Sequence, residues 1–184
     1  MCAPPCRCGC HAAERQGQEL NVYYVADVRS VVGRSPALPR GVTVRPIVLA
    51  DIPALAELYL RAYDLRDKTF GDAVAEMTSA FDGSWGALWP DASPAAWIGS
   101  ELVAVVQAVR RPSREAMPDA PHCPWLIEVF TDPRHRRAGL ARALMAIACG
   151  VMDAAGEGRV GLTVDEDNIA AVALYESLGF SETI

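Results

Sequence analysis

Six consecutive residues, Arg136-Arg137-Ala138-Gly139-Leu140-Ala141, stand where an apolar run gives way to a helical one. Upstream, Trp125-Leu-Ile-Glu-Val-Phe130 is a short β-branched and aromatic stretch that reads as a buried strand, and Thr131-Asp132-Pro133 breaks it. Downstream, Leu140, Ala141, Leu144, Met145, Ala148 and Met152 recur at the three-and-four spacing of an amphipathic helix. The first amides of a helix lack intrahelical partners and carry partial positive charge, so they attract phosphate. Gly139 and Ala141 keep side chains out of an anion's way, and Arg134, Arg136 and Arg137 add full charges. Arg142, on the first helical turn, either reaches a phosphate or is a solvated helix arginine. The pattern predicts a diphosphate cradle; close helix–sheet packing is the plainer alternative. Neither the nucleoside-triphosphate loop Gly-x-x-x-x-Gly-Lys-Ser/Thr nor the full Gly-x-Gly-x-x-Gly fingerprint after a strand is present.

Acid–base candidates flank this loop. Glu128 interrupts the apolar strand, and strict alternation puts it on one face with Leu126 and Phe130, away from Ile127 and Val129. A carboxylate there is costly unless solvated in a cleft or paired, and apolar surroundings favour its working as a base. The alternative is an ion pair, for example with Arg110. His122 is a second possible base, in a proline-rich loop, and with Cys123 it makes a candidate nucleophile pair. Further on, a strand-like Arg159–Asp165 precedes Asn168, a natural N-cap. Ala171, Leu174, Tyr175 and Leu178 then share a helix face that Gly179 terminates.

Taken together, Arg136-x-x-Gly139-x-Ala141 and Asn168-x-x-Ala171-x-x-Leu174-Tyr175-x-x-x-Gly179-Phe180 resemble the paired motifs of the GNAT acyltransferase superfamily. The resemblance implies an α/β (α+β) fold. Its central sheet is twisted, mixed and mostly antiparallel, is flanked by helices, and has a splayed parallel strand pair forming the coenzyme A cleft. It implies direct acetyl transfer from acetyl-CoA, as co-substrate and with no metal required, to a primary amine. Tyr175 falls where relatives supply the acid for the leaving thiolate, and a phenol of pKa ~10 can do that; packing of its helix is the alternative. Relatives often have a glutamate at the Glu128 position, acting through water. By the same resemblance, Val129, Phe130 and Thr131 face the pantetheine arm. Arg136, Arg137, Ala138, Gly139, Leu140, Ala141 and Arg142 wrap the diphosphate, and Asn168 meets the cofactor near its thiol end. A non-catalytic acyl-CoA-binding regulatory module is the alternative function.

The elements that position these residues extend upstream. Gly41–Val48 looks like the family's first strand and Asp51–Tyr59 like its first helix, capped by Asp51 with Pro53 in the first turn. A second helix is expected over Asp72–Phe81, with Val74, Met77 and Phe81 on one face. Ala95–Ile98 and Leu102–Val109 read as a hairpin turning at 99–101, and Pro112–Pro124 as a loop. The order β-α-α-β-β-loop-β-α-β-α spans an acetyltransferase domain at 41–184, preceded by an extension at 1–40. Two departures stand out. Relatives continue past Gly-Phe into one or two more strands, so the last strands are short or missing; Leu20–Val32 is apolar enough to supply a strand over the edge left open. Arg137-Ala138 replaces the Gly-Lys or Gly-Arg of many relatives.

A chain of 184 residues, 51% of them hydrophobic, suits one domain. No stretch approaches the ~20 apolar residues of a membrane span, and the N-terminus lacks a secretory signal's apolar core, which points to the cytoplasm. A net charge of −6 argues against a general nucleic-acid binder and mildly favours cationic acceptors. Cys2, Cys6, Cys8 and Cys10 with His11 suit either a small metal site or, as their irregular spacing and Pro4, Pro5 and Gly9 favour, a solvated tail over 1–19. The acceptor is expected to be a small-molecule or peptide amine, with no nucleic-acid or membrane partner, and a homodimer is left open. Acceptor specificity would come from the two first helices, where Tyr59, Tyr63, Asp64, Asp67 and Phe70 cluster, and from Trp85, Trp89 and Trp97; such residues more often serve core and surface.

Overall fold

The computed structural model describes residues 22–34 and 36–183; the expected tail and its cysteine cluster lie outside them. Its strands are β1 (Val22–Asp27), β2 (Val42–Pro46), β3 (Pro94–Ile98), β4 (Glu101–Val109), β5 (Trp125–Thr131), β6 (Arg159–Val164) and β7 (Ser181–Glu182). The helices are α1 (Val28–Val32), α2 (Ile52–Ala62), α3 (Phe70–Ser79), α4 (Leu140–Ala154) and α5 (Ile169–Leu178). One sheet holds all seven strands in the order β2-β3-β4-β5-β6-β1-β7. Every pairing is antiparallel except that of β5 with β6. This is the mixed, mostly antiparallel sheet the motifs imply.

Alternation along β4 divides the core between the two faces. Ala104, Val106 and Ala108 turn toward Leu144, Met145 and Met152 of α4. Val105 turns instead toward Leu55, Leu58 and Tyr59 of α2 and Met77 of α3. Burial of each of these large side chains stabilises the fold by about 1.5–3 kcal/mol. Two helix starts differ from expectation. Asp51 makes no side-chain cap to α2; its carboxylate pairs with both terminal nitrogens of Arg45, at 2.6 and 2.7 Å, and accepts from the Val48 amide. An arginine within reach offers a carboxylate a stronger, charge-assisted bond than a helix amide does. Helix α3 begins at Phe70 rather than Asp72, because Thr69 and Asp72 form a reciprocal capping box one turn earlier. Phe81 therefore lies beyond the helix.

The apolar segment before residue 40 enters the sheet as β1, antiparallel to β6 on one side and β7 on the other. It is therefore an inner strand, whereas an edge cover was expected. Val22, Tyr24 and Ala26 point into the α4-side core. The strand ends at Asp27, whose carboxylate accepts from the amides of Arg29 and Ser30 and so turns the rest of the segment into α1.

Candidate active site

Strand β5 carries the acid–base candidate and changes phase in its middle. Gln107 of β4 lies opposite Glu128, but the next residue, Ala108, lies opposite Leu126, so Ile127 is a bulge. Simple alternation is thereby broken. Leu126 packs into the α4-side core, while Phe130 packs against α2 and Glu128 meets Tyr63 at the end of that helix. The expected shared face for Leu126 and Glu128 is corrected, because the extra residue flips everything after it. The bulge also ends the parallel pairing. Strand β6 keeps register with β5 only at Trp125↔Gly161 and Leu126↔Leu162. At the first of these a β-carbon on Gly161 would sit 2.0 Å from the Trp125 ring, so only glycine allows the approach. From Ile127 to Thr131 the side of β5 turned toward β6 has no strand partner among the described residues.

That open edge leads to the start of α4. Gly139 takes the N-cap in the left-handed conformation, φ 80°, with no side chain capping the helix, and Pro36 packs beside it. The first-turn amides of Leu140, Ala141 and Arg142 are those that intrahelical bonding leaves over. Ala138 is exposed beside them. The Leu140 side chain is buried in the core and the Phe130 ring in an aromatic cluster with Tyr59 and Tyr63, so both offer a ligand only backbone. Val129 is half-buried against the α4-side core. Thr131 Oγ1 is buried without a hydrogen-bond partner among the described residues. An unpaired strand edge, an orphaned hydroxyl and an uncapped helix start fit an extended amide-bearing arm that ends in a diphosphate.

The arginines divide. Arg134, expected in the cradle, is instead held by Asp132, through Nε at 3.0 Å and a terminal nitrogen at 2.8 Å, and by Glu101. Its charge is consumed because Asp132 is buried at the strand end and needs it. Arg136 donates to the carbonyls of Ala62 and Thr131, tying the end of α2 to β5. Arg137 is exposed at φ 63°, and Arg142 reaches across to Ser177 of α5. Asn168 accepts from the Ala171 amide and so caps α5, as its type predicts.

On the other face the Tyr63 hydroxyl donates to Glu128 Oε2 at 3.0 Å. Glu128 is buried, and so is Tyr175, whose ring lies 5.9 Å from that of Phe180. Burial first, then the nearby charges of Glu128 and Tyr175, push the Tyr63 phenol well above its ordinary range. It remains a donor at every working pH. Tyr63 was read from sequence only as one of a cluster; its partner is 65 residues away, and no local spacing could have joined them. Beside Glu128 a cavity of about 80 Å³ opens between the sheet and α3, with Trp85 and Gln107 in its walls. The alternatives for this region resolve differently. Arg110 stacks 4.0 Å over Trp89 and Arg45 4.4 Å over Trp97. His122 is exposed, and Cys123 is buried with its thiol pushed up by that burial, the reverse of an activated nucleophile. Among the described residues no three His, Cys, Asp or Glu side chains gather as for a metal, and no helix is long and apolar enough to cross a membrane.

Residues 53–180, spanning the splayed strands, the basic loop and both flanking helices, match the Acetyltransferase (GNAT) family, and the chain belongs to it. Over 57 residues it is 42% identical to the [ribosomal protein bS18]-alanine N-acetyltransferase of Escherichia coli, a match covering 31% of this chain and 38% of that protein. Over 62 residues it is 45% identical to the mycothiol acetyltransferase of Kocuria rhizophila, covering 34% of this chain and 20% of that one. The chain thus spans well under half the length of these curated relatives. Among solved structures, a GCN5-related N-acetyltransferase from Sphaerobacter thermophilus superposes with a TM-score of 0.62 at 20% identity, over 88% of this chain and 48% of that one. The E. coli ribosomal-protein-S18-alanine N-acetyltransferase gives 0.58 at 22% identity, over 78% and 79%. The fold is that of these acetyltransferases.

Proposed function

We propose that this chain transfers an acetyl group from acetyl-CoA directly to a primary amine. The observation that carries the reading is the placement of Glu128: a buried carboxylate, held by Tyr63, on the length of β5 where pairing with β6 has ended. In this reading the backbone of Val129, Phe130 and Thr131 binds the pantetheine amides. The amides of Ala138 to Arg142, with the charges of Arg136, Arg137 and Arg142, hold the diphosphate, and Asn168 sits toward the thiol end. Acetyl-CoA supplies an activated thioester. Glu128 takes the amine's proton, directly or through water, so that the nitrogen lone pair can attack the carbonyl carbon. Tyr175 donates toward the sulfur as the C–S bond breaks, and neither step asks for a metal. The relatives named above are a ribosomal-protein bS18 alanine N-acetyltransferase and a mycothiol acetyltransferase, and a structural neighbour from Acinetobacter haemolyticus, at 20% identity, is an aminoglycoside 6'-N-acetyltransferase. All are consistent with an amine acceptor, whether small molecule or peptide. We take the acetyltransferase domain to be the expected 41–184 segment together with β1 and α1, which complete its sheet and core, and the cytoplasm as its place of work.

Acetyl-CoA at a hundredfold excess over its Kd should stabilise the protein by about 2.7 kcal/mol, which is roughly 5–10 °C in Tm for a domain of this size. Arg142→Glu, which puts a negative charge at the helix start, should abolish most of that shift. An unchanged shift would put the diphosphate elsewhere. Thiol release should then be measured across a panel of amines. Glu128→Gln should keep the thermal shift and lower kcat/KM by about 10²–10⁴. A shift with no thiol release for any amine would make the chain a non-catalytic acyl-CoA-binding module.

A further inference from the structure

We propose that the cavity beside Glu128 is the acceptor pocket, that Gln107 reads a hydrogen-bonding group on the acceptor, and that this acceptor is a primary amine on an apolar, aromatic-sized body. The inference rests on the acetyltransferase reading and names the substrate class for the same site. Gln107 is fully buried, and neither its amide oxygen nor its amide nitrogen has a hydrogen-bond partner among the described residues. Such a group is costly in a finished core, and proteins satisfy nearly all of them. Gln107 is among the residues that line the cavity, and we take the cavity as the side from which its partner comes. The cavity, at about 80 Å³, is several times the roughly 10–15 Å³ one water occupies on such a measure.

The walls limit what that partner can be. Trp85, Trp125, Met77 and Met117 make them largely apolar, and among the described residues the only charged ones in the lining are Glu76 and Glu128. Lys68 pairs with Glu76 at 3.9 Å, which leaves Glu128 as the carboxylate nearest the open edge of β5. An anion or a polyhydroxylated amino sugar would leave its polar groups facing indole and thioether, whereas an aromatic ring would not. Gln107 and Glu128 are direct cross-strand partners, with β-carbons about 4.5–5.5 Å apart in such pairs. The group that Gln107 reads therefore lies two or three bonds from the reacting nitrogen. Its oxygen accepts and its nitrogen donates, so a carboxamide or a peptide unit next to the amine-bearing carbon, with an N–H to donate and a C=O to accept, satisfies both.

The test uses the full chain saturated with CoA and three probes: phenylalaninamide, phenethylamine (the same ring and amine without the amide) and kanamycin. Calorimetric titration should show phenylalaninamide binding at least tenfold tighter than phenethylamine and kanamycin weakest. Gln107→Leu should cut the preference for phenylalaninamide over phenethylamine at least tenfold, in Kd and in kcat/KM. Leucine fills a buried site without leaving a polar atom unpaired, and Gln107→Met, closer in shape, should behave alike. A preference unchanged within twofold in both variants, or wild-type protein that binds kanamycin best, would overturn the proposal. If kanamycin is acetylated while phenylalaninamide does not bind, the pocket assignment fails and acetyl transfer stands. If phenylalaninamide binds through Gln107 yet no amine releases thiol from acetyl-CoA, the pocket stands and acetyl transfer fails.

Discussion

Arg137 holds its backbone at φ 63°, in the left-handed region, which costs a residue with a β-carbon about 1–2 kcal/mol. Glycine adopts this conformation freely. The strain keeps a guanidinium on an exposed turn two residues before the α4 N-cap, and such an outlier beside the proposed diphosphate site is a reason to look for function. The corresponding prediction concerns stability. Urea denaturation should find the Arg137→Gly variant about 1 kcal/mol more stable than Arg137→Ala; equal stabilities would mean that the turn relaxes without cost. Glu128 shows the opposite relation between type and place. Its identity marks a cleft, yet the face it uses follows from one extra residue in the strand, Ile127.

The strand β5, the turn after it and the helix α2 are bound together by Asp132. Its side chain is 1% exposed and accepts from Arg134, three times, and from Arg61 Nε at 2.9 Å. Hydrogen bonds from Arg134, then from the Arg134 amide and from Arg61, hold its carboxyl well below the ordinary carboxylate range, although burial opposes them. A depressed folded value means the stabilisation is complete above the unfolded value near 3.9 and is lost as pH falls through the folded one. Asp132→Asn should therefore cost about 3 kcal/mol at pH 7, toward the low end because both guanidinium groups keep water on one side. It should also remove the part of the wild type's stability slope that lies below about pH 4. Denaturation at a series of pH values checks both, and a variant with the wild-type slope would show that other carboxylates carry it. The same bonding makes Arg134 unavailable to a phosphate, whereas Arg136, Arg137 and Arg142 have no carboxylate partner among the described residues.

At the scale of the whole molecule, β1 fills a place beside β6 that is remote from its neighbours in the chain. Tyr24 pairs with Glu182 and Val25 with Ser181, and the Thr183 amide donates to the Tyr23 carbonyl, so β7 and β1 meet as the arms of a hairpin would. A permuted chain that runs from Gly41 to Thr183, crosses a short turn and ends with Val22–Val32 should fold within about 2 kcal/mol of the original, since doubling a loop changes closure by only about 0.6 kcal/mol. Chemical denaturation measures the difference; a permutant that fails to fold would mean that the 33–41 connection does more than link. The residues themselves determined much of this protein. The three-and-four spacing of α4 and α5, the alternation of β4 and the two spaced motifs are local signals, set by geometry within a few residues, and they define the elements, their order and the family. Only the tertiary structure decided that Ile127 bulges, that Tyr63 finds Glu128, that Asp132 captures Arg134 and that β1 lies inside the sheet. Each of these depends on which segments distant in sequence become neighbours. That choice is made by the packing of the whole core, because a period records which way a side chain points and not what it will meet.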